Sequence, residues 1–151
     1  MKKGLYLVAV FFASVLFLTG CGGSGNKLVC TMSTTQQTYG YDLTIDQEIA
    51  FGFESDDKVT DADVEVNVKL SDGLYDLLKD QGDVDESMKA LTSTLETNFK
   101  AEFGDATKSS KSSYSGKNVT VNIELDASQI QAGTTKEDIS KTFQDLGFTC
   151  K

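Results

Sequence analysis

The sequence predicts an α+β domain: an antiparallel sheet, built as a three-stranded meander plus a later hairpin, with helices packed on one face. Three observations predict it. Residues 41–53, 58–70 and 117–126 alternate apolar and polar with period two, the pattern of strands that bury one face and wet the other. Residues 88–103 carry apolar side chains every three to four positions, the pattern of a helix lying on a core. Along the chain the order is strands, helix, strands, helix, which keeps helices and strands segregated rather than interleaved.

The first apolar segment, 27–34, places Leu28, Cys30 and Met32 on one face of a strand. A polar stretch ending at Gly40 makes the turn. From Tyr41 to Phe53 the odd positions form an apolar stripe broken only by Gln47. Thirteen residues is long for a strand, so a bulge or break is expected near Asp46-Gln47-Glu48. Ser55-Asp56-Asp57 turns the chain. Then Ala62, Val64, Val66, Val68 and Leu70 point one way, while Asp61, Asp63, Glu65, Asn67 and Lys69 point the other.

Ser71 or Asp72 caps a short helix carrying Leu74, Leu77 and Leu78, interrupted at Gly82. Asp83 with Glu86 resembles a capping box, and opens a helix with the stripe Met88, Leu91, Leu95, Phe99 and Phe103, stopped at Gly104. Residues 107–114, rich in Ser and Lys, form an edge strand. Gly116 supplies a turn, and the strand over 117–126 points Val119, Val121, Ile123 and Leu125 inward. A helix opening at Thr135-Lys-Glu-Asp138 places Ile139, Phe143 and Leu146 on one face and stops at Gly147.

The chain opens MKKGLYLVAVFFASVLFLTGCGGSG. Lys2 and Lys3 precede an uncharged run of fourteen residues, 5–18. A bilayer span needs about 20 apolar residues, so this run has the length of a signal-peptide core rather than of a membrane helix. The alternative is an uncleaved anchor helix beside an incidental cysteine. The positive end stays in the cytoplasm and the remainder is exported. Leu18-Thr19-Gly20-Cys21 then resembles the bacterial lipobox position by position. That resemblance implies a diacylglyceryl thioether on Cys21, cleavage before it and acylation of the new amino end, as with palmitate. Each buried methylene contributes about 0.8 kcal/mol, so two or more acyl chains anchor stably. The organisation expected is a lipoprotein signal peptide over 1–20, a flexible tether over 21–26 and a single domain over 27–151.

All 23 acids and twelve of the 14 lysines lie beyond residue 20, a side-chain charge of −11 for the exported part. There is no Arg, so phosphate capture by guanidinium is excluded and nucleic acid is not expected as a partner. There is no His, which removes Ser-His-Asp and Cys-His chemistry and the commonest zinc ligand. The sequence contains no Pro or Trp.

Asp56, Asp57, Asp61 and Asp63 cluster about one turn. Oxygen-rich groups can hold Ca²⁺, but the spacing is not that of an EF-hand, and Asp61 and Asp63 already form the wet face of a strand. Asp80, Asp83, Asp85 and Glu86 complement a helix start. Neither group is assigned a metal, and no cofactor is expected. Asn118-Val-Thr120 fits a glycosylation sequon that a bacterial lipobox makes irrelevant. Tyr39, Tyr41 and Tyr114 suit either a recognition patch or the margin of the core. Lys108, Lys111 and Lys117 are the one local excess of positive charge, and could meet a partner or simply guard an edge strand. Once Cys21 is lipidated, Cys30 and Cys150 are left as an even pair outside the cytoplasm, where a disulfide persists.

A lipobox, a short tether and a compact domain with a strand turn such as Asp57-Lys58-Val59-Thr60 resemble the small YehR-like lipoproteins. That resemblance implies no activity. The expectation is therefore a non-enzymatic domain on the extracytoplasmic face of the cell membrane, held by lipid on Cys21, binding an envelope protein or polymer. The alternatives are a structural lipoprotein with no discrete ligand and a carboxylate- or metal-dependent envelope hydrolase. They differ in whether a lined pocket or a convergent set of acids exists.

Overall fold

A computed structural model describes residues 26–151. The lipobox, Cys21 and most of the expected tether lie outside the described residues. The elements run β1 (Lys27–Thr38), β2 (Tyr41–Ser55), β3 (Lys58–Leu70), α1 (Asp72–Asp80), α2 (Val84–Phe103), β4 (Thr107–Ser115), β5 (Asn118–Leu125), α3 (Lys136–Asp145) and β6 (Thr149–Cys150). The architecture is α+β.

The sheet is larger than a meander plus a separate hairpin. All six strands join in the order β4-β5-β3-β2-β1-β6. The hairpin β4–β5 merges because β5 matches β3 residue for residue from Ala62↔Leu125 to Lys69↔Asn118, setting Val64, Val66 and Val68 beside Ile123, Val121 and Val119. A single apolar face is the reason, because splitting the sheet would expose both valine rows to water. The sixth strand is only two residues and carries no alternation to read. Its register, Cys30↔Cys150 and Thr31↔Thr149, follows from the cysteine pair. Asn26, expected in the tether, precedes β1, and its carbonyl accepts from the Phe53 N–H at 2.7 Å.

The bulge expected at Asp46-Gln47-Glu48 is not there. β2 pairs without a break through these residues to β1 and β3, because both neighbours are themselves long. The register shifts instead between Gly52 and Phe53 and between Phe53 and Ser55. Gly52 is the last residue before the shift, and a Cβ there would lie 2.3 Å from the Asp61 Oδ1 across the ladder.

The helices cover one face. Leu28, Cys30, Met32, Ile45, Ile49, Phe51, the β3 row from Ala62 to Leu70, Val119, Val121 and Ile123 are buried, while the alternate positions face water. Ser71 caps α1, its Oγ accepting from the Leu74 N–H. Asp83 caps α2 by accepting from the N–H groups of Asp85 and Glu86. At α3, Thr135 and Asp138 satisfy each other's backbone in a complete capping box. In α2 only Met88 and Thr92 are buried, and the rest of the expected stripe packs half-buried on the core. Leu146 does not share the buried face of Ile139. It is the C-cap of α3 and stays 46% exposed, and Phe148, past the turn, enters the core in its place.

Candidate functional site

The Sγ atoms of Cys30 and Cys150 are 2.05 Å apart, and the bond closes a separation of 120 residues. Cys30 is buried in β1, where Leu28 and Met32 flank it on the same face. Main-chain bonds extend the pairing: the Val29 and Lys151 N–H groups each donate to the other's carbonyl at 3.0 and 2.9 Å. The Phe143 ring seats α3 above this strand, 5.6 Å from Phe51 and 5.2 Å from Phe148.

The three lysines are not brought together. Lys108 lies at the start of β4, and its ammonium pairs with Glu124 on the wet face. Lys117 lies past the other end, in the β4–β5 turn, and pairs with Asp72 at the head of α1. Lys111, between them on the exposed face, forms no ion pair among the described residues. At about 3.3 Å per residue the strand separates the two ends by roughly 25–30 Å. Lys108 and then Ser109 hold the Glu124 carboxyl below its usual range, and Lys117 does the same for Asp72.

β4 also turns a polar row inward, toward α2. The hydroxyls of Ser110 and Ser112 both donate to the Glu96 carboxylate, which lowers its pKa, Ser112 most. Tyr114 donates to Asp85, which also meets Lys89 at 2.9 Å, and both depress the Asp85 pKa.

The tyrosines separate. Tyr114 is tied to α2. Tyr41 lies against α1, where a Cβ on Gly73 would come within 2.6 Å of its ring. Tyr39 stands alone at the tip of the β1–β2 hairpin, 88% exposed. Its φ is 53° and that of Gly40 is 81°, the two positive values of a type I′ turn. The first of these positions favours Asn, Asp or Gly, so a tyrosine there is strained.

The acids do not converge. Asp57 accepts from Ser55, Asp61 from Thr60, and the Asp56 carbonyl receives the Lys136 N–H at 2.8 Å. Asp80, Asp83, Asp85 and Glu86 follow the end of α1 and the start of α2. Among the described residues no three Asp, Glu or Cys side chains are grouped to hold a metal ion. Desolvation pushes the Glu102 carboxyl upward, and it belongs to no such group.

Open grooves lie at two places among the described residues. One, of about 550 Å³, lies at the end where the chain enters and is bounded by Leu28, Asp56, Thr135, Lys136, Ser140 and Lys151. The other, of about 400 Å³, lies where β6 stops, bounded by Met32, Ser33, Asp46, Glu48, Glu65 and Gly147 among others. Sequence reading missed this second site. Its one available signal was the uncharged run Met32 to Thr38 beside alternating acids.

No family model and no curated protein matches the chain. A solved structure described as the NMR structure of the protein from Streptococcus pneumoniae TIGR4 is 17% identical over 91% of this chain and 93% of that one, with a TM-score of 0.38. At that score the likeness carries no argument about fold or role. Among the described residues no helix is long and apolar enough to cross a membrane.

Proposed function

We propose that the chain is a lipid-anchored extracytoplasmic domain that binds a partner in the cell envelope and catalyses nothing itself. The observation that carries this reading is the Leu18-Thr19-Gly20-Cys21 step at the end of a short apolar run. The Cys30–Cys150 bond supports it, because disulfides persist in oxidising compartments. A chain without His or Arg would have to build any catalytic centre from Asp, Glu, Lys, Ser or Tyr. Tethering raises local concentration, so partners on the same surface are engaged without high intrinsic affinity. The proposed contact surface includes the β4 edge with Lys108, Lys111 and Lys117. Lys111 forms no ion pair among the described residues, and Lys108 and Lys117 would exchange an internal carboxylate for a partner's.

The test is to replace all three lysines by Gln, follow folding by thermal melting and score cross-links to envelope components. Loss of a cross-link with folding retained supports the proposal. Turnover of a glycan, peptide or phosphoester by the purified protein, abolished by replacing one Asp or Glu, contradicts it.

A further inference from the structure

β1 runs from Lys27 to Thr38 and pairs with β2 along its whole length. On its other side β6 covers only Cys30 and Thr31, with Val29 bonded to Lys151. Val29 therefore points its N–H and C=O away from β2. In an antiparallel ladder alternate residues share that direction, so Ser33, Thr35 and Gln37 also aim their main-chain groups outward. Among the described residues no strand pairs with them. The segment from Met32 to Thr38 is regular, uncharged and free of proline, and spans about 23 Å. Edge strands ordinarily carry charge, proline or a bulge to prevent pairing, and this one has none of the three.

The surroundings specify what would pair with it. On the wet face the side chains of Ser33 and Thr35 are short. One strand further in stand Asp42, Asp46 and Glu48, all exposed. Asp46 lies across from Ser33 and accepts from its hydroxyl, Asp42 lies across from Gln37 and accepts from its side-chain amide at 3.3 Å, and Glu48 lies across from Thr31, which β6 covers. A strand added to β1 would lie about 9.6 Å, two strand spacings, from Asp46 and Asp42, within reach of lysine side chains that would take over these two contacts. On the helix side Leu146 is 46% exposed at the corner where α3 leads into β6. The groove at the end of β6 opens beside Met32 and Ser33.

We propose that the free edge of β1 receives an extended partner segment by strand addition, and that the segment alternates basic residues toward the wet face with apolar residues toward Leu146. This rests on the reading of the chain as a binding domain and names the partner's chemistry. A second copy is the poorer occupant. Antiparallel pairing of two β1 edges would point their entry ends in opposite directions and bring the two rows of Asp42, Asp46 and Glu48 toward each other.

The probe is a seven-residue capped peptide alternating Lys with Val, offered to the membrane-extracted protein in neutral detergent. Its counterpart has Glu in place of Lys. Binding is read by fluorescence anisotropy, and amide hydrogen exchange locates it. The Lys peptide is expected to bind at least tenfold tighter than the Glu peptide, to weaken with salt and to slow exchange over residues 33–37. Thr35→Pro removes only an outward N–H and should abolish binding with folding retained. If that variant does not fold, Thr35→Lys should weaken the Lys peptide at least tenfold. Equal binding of both peptides, protection on β4 instead, no binding, or self-association through residues 33–37 without peptide would each overturn the proposal. The assay reads the edge whether or not Cys21 carries lipid, so its failure leaves the anchoring proposal standing.

Discussion

The two long edges of the sheet are built on opposite plans. β4 is guarded at every level. Lys108 and Lys111 stand on it, its register slips between Thr107 and Ser109, and Ser110, Ser112 and Tyr114 fasten it to α2. Among the described residues β1 is covered only where β6 lies against it, and from Met32 to Thr38 it is uncharged and regular. A sheet that leaves one edge bare while defending the other has protection to lose on one side only. The difference also separates two kinds of stabilisation. The β1 side is held by a covalent bond and an aromatic cluster, and the β4 side by hydroxyl–carboxylate contacts.

The largest expected effect breaks the covalent half. Replacing Cys30 and Cys150 together by Ala should lower stability by about 4–5 kcal/mol, the chain-entropy value for a loop of this length. Denaturant unfolding measures it, and hydrogen exchange should spread from residues 33–37 to the whole outer side of β1 as β6 detaches. Next is Phe143→Ala, which removes the ring between Phe51 and Phe148. It should cost about 2–4 kcal/mol, and α3 should loosen before β4 does.

Glu96→Gln tests the polar half, with an expected loss of about 1 kcal/mol at neutral pH. The sign follows from the pKa. Ser112 and Ser110 hold Glu96 below its ordinary 4.5, so its contribution is complete above that value and disappears as pH falls through the lower folded one. The gap between wild type and variant should therefore narrow on acidification. A constant gap would mean that packing, not charge, joins β4 to α2. The smallest effect is a gain: Tyr39→Asn, better suited to positive φ, should raise stability by about 0.5–1 kcal/mol, seen as a higher Tm.

Period-two alternation made β2, β3 and β5 legible, since each buries one complete row of side chains. The Ser/Lys edge strand was legible from composition and the helix limits from Ser71, Asp83, Gly104 and Gly147. The joining of the hairpin to the meander was not, because pairing between β3 and β5 depends on register across 50 residues and leaves no local mark. The bulge was expected at the charged middle of β2, but the register shifts beyond Gly52, next to the β2–β3 turn. The candidate surface was legible only as a charge count. Lys108 and Lys117 sit beside each other in that count, but the fold gives each a private carboxylate at opposite ends of β4. The open edge was invisible for a different reason: it consists of main-chain groups left over once every other strand has paired.

Binding of an envelope partner requires that the domain stand outside the cell on a lipid at Cys21. Intact mass of the protein recovered from membranes tests that most directly. The account predicts a chain beginning at Cys21 and carrying at least a diacylglyceryl group, lost to the membrane fraction when Cys21 is replaced by Ala. A mass equal to the full 151 residues, or to any shorter chain without acyl mass, would contradict it.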